Sequence, residues 1–105
     1  MKKVLLREIA HSRAGDKGNT LNLSLIAYRP EDYPLIREQV TVERVRELFA
    51  GQVSGNITRY ELPNLGALNF VLEGALDGGV TRSLRVDPHG KSLSSALLGL
   101  TVTID

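Results

Sequence analysis

The chain contains no cysteine among its 105 residues, so it has neither a disulfide framework nor thiolate chemistry. Its two histidines, His11 and His89, lack the spacing of a zinc or haem site, and we expect no metal and no cofactor. The net charge is only +1, which supplies no basic field for nucleic acid or an anionic membrane. We therefore expect neither nucleic acid nor a membrane among the partners.

Long apolar runs are also missing from the sequence. The stretch MKKVLLREIA begins like a signal peptide, but its apolar run stops at Arg7 and Glu8. No segment approaches the ~20 apolar residues that a membrane span needs. The chain is 42% hydrophobic and 24% charged, which is typical of globular proteins, and its length fits one domain over residues 1–105. The sequence predicts a cytoplasmic protein.

Hydrophobic periodicity predicts strands interleaved with helices. Strands are predicted over residues 3–10, 21–27, 54–62, 80–86 and 100–104. Helices are predicted from Pro34 to Gln39, after a Thr41 cap, after an Asn64 cap and after a Ser92 cap. The helix after Asn64 has an apolar stripe of Leu65, Leu68, Leu72, Ala75 and Leu76. This order predicts a single sheet covered by helices, of the α/β or α+β class.

The segment HSRAGDKGNTLN, residues 11–22, is predicted to be a loop with more polar residues than a turn needs. Gly15 and Gly18 bracket Asp16 and Lys17, a spacing that lets backbone N–H groups converge on a carboxylate or phosphate. The alternative is that Asp16 and Lys17 pair across a tight turn. Neither G-x-x-x-x-G-K-[ST] nor G-x-G-x-x-G occurs. The candidate ligand-binding residues here are Ser12, Arg13, Gly15, Asp16, Lys17, Gly18 and Asn19.

Two polar residues on predicted apolar faces are further candidates. Asn69 shares the stripe of the helix after Asn64, where an amide without a partner costs ~1–3 kcal/mol. It either ties that helix to a neighbouring loop or braces the site of residues 11–22. Arg82, on the inner side of a predicted strand, either pairs with a carboxylate or binds an anion. No recognised nucleophile motif is present, so the catalytic residues, if any, stay unknown.

The stretches RAGDKGNTLNLSLIA, RPEDYP, RYELPNLGALNFVLEGALDGGVTRSLRVD and GKSLSSALL together resemble the AtuA-like ferredoxin-fold domain family. This domain is found as the carboxy-terminal part of acyclic terpene utilisation protein A relatives, or as a separate small chain encoded beside the larger one. The resemblance covers nearly the whole chain and implies an α+β fold, a ferredoxin-like α/β sandwich. The family more often has serine where Ala14 stands here, which weakens any role for that position.

The resemblance implies an accessory binding and interaction domain that assembles with a larger AtuA-like protein in catabolism of acyclic terpenes or related acyl compounds. One alternative is a small enzyme acting on an acyl-CoA or a carboxylate, with His11, Asp16 and Lys17 handling protons or charge. Another is a purely structural, oligomer-forming module. We expect a homo-oligomer, at least a dimer, because a short domain rich in aliphatic residues leaves apolar surface to cover.

Overall fold

The computed structural model describes residues 2–17, 20–51, 53–74 and 92–104. In these ranges the strands are β1 (Lys2–Leu5), β2 (Ala10–Lys17), β3 (Thr20–Ala27), β4 (Ile57–Leu62), β5 (Ala67–Glu73) and β6 (Thr101–Ile104). The α-helices there are α1 (Tyr33–Gln39), α2 (Val42–Leu48) and α3 (Ser92–Leu98). Short 3₁₀ turns lie at Leu6–Glu8, Pro30–Asp32 and Pro63–Leu65. The strand predicted over residues 80–86 lies outside the described ranges.

The strands form a four-stranded sheet with the order β2-β3-β5-β4 and a two-stranded sheet of β1 and β6. All of these pairings are antiparallel. Side chains of α1, α2 and α3 join one hydrophobic core with those of both sheets. Antiparallel sheets with helices packed on them confirm the α+β, ferredoxin-like class. The strands are divided between two sheets, whereas the sequence predicted one.

The polar segment of residues 11–22 belongs to a β-hairpin of β2 and β3, so its prediction as a loop is wrong. β2 and β3 pair from Ala10 opposite Ala27 to Lys17 opposite Thr20, with two residues between the last pair. Ala10, at the start of β2, is buried, and the residues from Arg13 to Gly15 are exposed. The predicted first strand over residues 3–10 is also wrong in extent, because a 3₁₀ turn at Leu6–Glu8 separates β1 from β2.

The predicted helix after Asn64 is wrong over its described part, because residues 67–73 form the strand β5. β5 lies between β3 and β4 and pairs with both. Its inward residues Leu68, Phe70 and Leu72 are fully buried. Gly66 has the left-handed conformation, with φ 62°, in the short connection from β4. Glycine adopts this conformation without strain, which allows the tight reversal where a helix was expected.

The remaining predicted elements agree with the structure. α1 ends at Gln39 and has a proline in its first turn. At the start of α2, the Thr41 hydroxyl accepts a hydrogen bond from the Arg44 backbone N–H at 3.2 Å, which is an N-cap. β4, α3 and β6 also occur within two to three residues of their predicted bounds. No α-helix in the described part of the chain is long and apolar enough to cross a membrane.

Polar side chains attach the helices to both sheets. Arg59, on β4, donates hydrogen bonds to the backbone oxygens of Arg37 at 2.6 Å and Val40 at 2.9 Å, at the end of α1. The Gln39 side chain bonds to both backbone groups of Thr103 on β6. Arg59 is in register with the buried Phe70, so its side chain lies on the core face of the four-stranded sheet. α1, which Arg59 contacts, therefore covers that face.

Candidate functional site: the open face of the sheet

The other face of the four-stranded sheet, which we call the open face, carries no packed helix or strand among the described residues. Alternation and register place fourteen described side-chain positions on it. They are His11, Arg13, Gly15, Thr20, Asn22, Ser24, Ile26, Thr58, Tyr60, Leu62, Ala67, Asn69, Val71 and Glu73. Apart from Ala67 they are half-buried or exposed, so the face is available for contact.

One end of the open face is apolar and aromatic. The row His11, Ile26, Ala67 and Leu62 crosses the sheet from β2 to β4. The Tyr28 ring stacks on His11 with a centroid distance of 5.2 Å. Tyr28 is 61% exposed and Leu62 is 38% exposed. We call this row together with Tyr28 the apolar end; exposed rings and aliphatic groups side by side are typical of contact surfaces.

The adjacent row is polar and consists of Arg13, Ser24, Asn69 and Tyr60. The Ser24 hydroxyl accepts a hydrogen bond from the Arg13 backbone N–H at 3.2 Å and donates one to the Arg13 carbonyl at 3.4 Å. The hydroxyl therefore serves the hairpin backbone. Arg13 is exposed and makes no ion pair within the described residues. Its guanidinium is free to bind an anion.

The structure separates the residues that the sequence grouped at residues 12–19. Arg13 and Gly15 face the open side of the sheet, whereas Ser12 faces the core side, where its hydroxyl is buried without a hydrogen-bond partner. Gly15 lies inside β2 without a positive φ, so it does not form the predicted sharp turn. The backbones of Asp16 and Lys17 end β2, and their side chains are not described. Gly18, Asn19 and Arg82 lie outside the described residues.

Asn69 lies on the open face of β5, not on the apolar face of a helix. Its strand neighbours Leu68 and Phe70 point to the core, so its own side chain points the opposite way. It is half-buried, and its amide makes no hydrogen bond within the described residues, which leaves the predicted partner unfound. Asn69 lies beside Ser24, in the same row as Arg13. Arg13 and Asn69, two predicted site residues that are distant in sequence, thus lie on one face.

A separate cleft of about 600 Å³ lies between α1 and β6. Its lining is Ile9, Arg29, Glu31, Asp32, Pro34, Leu35, Glu38, Gln39, Thr103 and Ile104. The Arg29 guanidinium pairs with the Asp32 carboxylate at 3.6 Å. None of the predicted site residues lines this cleft. Within the described ranges, no group of three or more histidine, aspartate or glutamate side chains is placed to hold a metal ion.

Comparison with known proteins agrees with this architecture. The model of the family described as the AtuA ferredoxin-like domain matches residues 4–103. The chain belongs to this family. A search of curated proteins and of solved structures gives no significant match. The matched range of this AtuA ferredoxin-like domain includes every residue of the open face.

Four residues of the open face and its apolar end in this AtuA ferredoxin-like domain were not predicted as site candidates from the sequence: Ser24, Tyr28, Tyr60 and Leu62. The available signal was the dipeptide Gly18-Asn19 between two alternating segments, because two-residue spacers of this type mark β-hairpins. A hairpin would have placed His11 and Arg13 on one face. No local pattern in the sequence indicates that Tyr60 and Leu62 lie on this face, because their position there depends on the pairing of β4 with β5.

Proposed function

We propose that this AtuA ferredoxin-like domain is an accessory binding domain that assembles with a larger AtuA-like protein in the catabolism of acyclic terpenes or related acyl compounds. The observation that carries the proposal is the open face, where Tyr28, Tyr60 and Leu62 are exposed together. Exposed rings and aliphatic groups on one continuous surface are favourable in a contact and unfavourable in water. The family relationship supports a larger AtuA-like protein as the partner.

The open face is smaller than the area that each partner buries in a standard protein interface. Four strands spaced ~4.8 Å apart, with about six residues each at ~3.3 Å, cover roughly 400 Å². A standard protein interface buries about 800 Å² on each partner. We therefore expect the partner to contact the rim of the sheet as well, including the β2–β3 hairpin.

The test is complex formation between this chain and the larger AtuA-like protein from the same organism, measured by calorimetry and by light scattering after gel filtration. We expect a stable complex that Leu62→Ser weakens, because the substitution removes an apolar contact at the apolar end. Leu5→Ser is the matched control, since Leu5 is 39% exposed against 38% for Leu62 and lies on β1, in the other sheet. No complex with the wild-type chain at ~100 µM, well above the micromolar dissociation constants of weak complexes, would refute the proposal.

The alternative is a small enzyme acting on an acyl-CoA or a carboxylate. The free Arg13 guanidinium beside Ser24 and Asn69 favours it, because guanidinium and amide groups bind carboxylates. Turnover of acyl-CoAs by the isolated chain, lost in Arg13→Ala, would support the enzyme. Complex formation without turnover by the isolated chain would support the accessory domain. Light scattering of the chain alone also tests the expected homo-oligomer.

A further inference from the structure

The open face has a positive charge on its edge strand β2, and no carboxylate of the described residues pairs with it. Arg13 is exposed and has no ion pair within the described residues. The nearest carboxylate of β4, on Glu61, points to the core side of the sheet and pairs with Arg59 at 3.2 Å. Glu73, at the end of β5, belongs to the row farthest from the apolar end. A partner that covers this surface without a negative charge would leave the guanidinium desolvated and unpaired, which is costly.

A second donor lies in the same row as Arg13. Asn69 is two strands away, roughly 10 Å between backbones, and its amide has no hydrogen bond within the described residues. The Ser24 hydroxyl, which lies between them, already forms hydrogen bonds with the Arg13 backbone. The long arginine side chain can extend over Ser24 towards the amide. A carboxylate above Ser24 would therefore receive hydrogen bonds from both sides.

The apolar end sets the second requirement for the occupant. The row of Ile26 and Leu62 is displaced from the row of Arg13 and Asn69 by two residues along each strand, which is ~7 Å. In an extended segment, residues two positions apart point to the same side and are separated by the same ~7 Å. An extended segment with one aliphatic and one acidic residue in this spacing matches both rows at once.

We propose, on the basis of the proposed function above, that the open face binds an acidic, extended segment of the larger AtuA-like protein. The carboxylate of that segment contacts Arg13 and Asn69, and an aliphatic side chain two positions away contacts Ile26 and Leu62. The two rows fix the spacing between the acidic and the aliphatic residue of the segment. This contact would give Arg13, which has no ion pair within the described residues, a charged partner beside the apolar end.

The experiment measures the dissociation constant of the complex by calorimetry for Arg13→Glu, Arg13→Ala and the control Lys3→Glu. Lys3 lies exposed on β1, so its reversal changes the net charge of the chain by the same amount as Arg13→Glu. We expect Arg13→Glu to weaken the complex at least about tenfold and Lys3→Glu to change it less than about twofold. Thermal unfolding of each variant checks that the fold is retained.

Salt separates the charged contact from the apolar one. Raising NaCl from ~0.1 to ~1 M shortens the screening length from ~10 to ~3 Å. We expect the wild-type complex to weaken over this range and the Arg13→Ala complex to be much less sensitive. Leu62→Ser should weaken binding at both salt concentrations while the salt dependence stays.

The outcomes distinguish this inference from the proposed function. If the complex forms and Arg13→Glu binds as well as the wild type, or better, the acidic segment is refuted while the accessory role stands. If no complex forms with the wild-type chain, the proposed function and this inference are both refuted. If the isolated chain self-associates and both Arg13→Glu and Leu62→Ser dissociate it, a second copy occupies the open face and the inference is wrong.

Discussion

Replacing Gln39 with alanine tests whether side chains hold the outer edge of β6. The Gln39 Nε2 donates a hydrogen bond to the Thr103 carbonyl at 2.8 Å, and the Thr103 N–H donates one to Gln39 Oε1 at 2.8 Å. One side-chain amide thus pairs with a strand residue as a neighbouring strand would. Arg44 adds a hydrogen bond to the Thr101 carbonyl at 2.8 Å on the same edge.

The expected loss follows from these contacts. Each hydrogen bond contributes ~1 kcal/mol net, and the two Thr103 groups, which are partly buried, regain water incompletely. Alanine recovers a few tenths of a kcal/mol through its higher helix propensity. We expect Gln39→Ala to lower the free energy of unfolding by about 2 kcal/mol. At ~4–8 °C per kcal/mol for a domain of this size, the melting temperature falls by roughly 8–16 °C.

Urea and thermal unfolding followed by circular dichroism measure this loss, with Glu38→Ala as the control. Glu38 is the preceding residue of α1, is exposed and makes no hydrogen bond or ion pair in the described part of the chain. Its replacement should change the free energy of unfolding by less than ~0.5 kcal/mol. Equal losses in both variants, or a loss below ~0.5 kcal/mol in Gln39→Ala, would refute this account of the β6 edge.

Gln39→Glu adds a dependence on pH. The introduced carboxyl donates to the Thr103 carbonyl only when protonated. We expect the repulsion between the charged carboxylate and this carbonyl to exceed its attraction to the Thr103 N–H and the Arg44 guanidinium, so that folding raises its pKa above the unfolded value. Its stabilising contribution is therefore complete below the unfolded pKa and is lost as the pH rises through the folded pKa. Relative to Gln39→Ala at the same pH, Gln39→Glu should gain stability as the pH falls. A difference between the two variants that does not change with pH would contradict the donor role.

Thr41→Ala should cost ~1 kcal/mol in unfolding experiments because it removes the N-cap of α2, whereas Thr41→Ser keeps the accepting hydroxyl and should cost much less. Gly55→Ala should cost ~1–3 kcal/mol, since its Cβ would lie 2.7 Å from the Glu73 carbonyl oxygen, and an unchanged melting temperature would disprove that close approach. Gly15→Ala, with no atom within 4 Å of the added Cβ, should leave stability equal or higher. Lys17→Ala should shift stability by less than ~0.5 kcal/mol, and a loss of several degrees in melting temperature would show a structural role.

The elements predicted correctly are those whose signals are local. The N-cap of α2 needs only a hydroxyl three residues before the N–H that it binds, so Thr41 was identifiable from sequence alone. β3 and β6 each bury one face, and their period of two is visible without knowing the partner strands. The family was identifiable for a related reason, since its motifs extend along most of the chain.

The candidate site was predictable only in part. Arg13 and Asn69 were named from the sequence, and register places both in one row of the open face. The predicted convergence of backbone N–H groups near Gly15 and Gly18 required a sharp turn at these residues, but β2 continues through Gly15. A polar segment has the same composition whether it is a loop or the exposed face of a strand, so composition could not separate the two.

The sequence by itself determined the chain's family, its α+β class, the positions of α1 and α2 and the alternation of β3, because these depend on neighbouring residues. The tertiary structure alone decided that residues 67–73 form a strand. Leu65, Leu68 and Leu72 fit a helical stripe, while Leu68, Phe70 and Leu72 fit a strand equally well. The backbone hydrogen bonds to β3 and β4, on both sides of β5, resolve that ambiguity in favour of the strand. The same pairings assemble the open face, since they join strands from distant parts of the chain whose contacts no local pattern encodes.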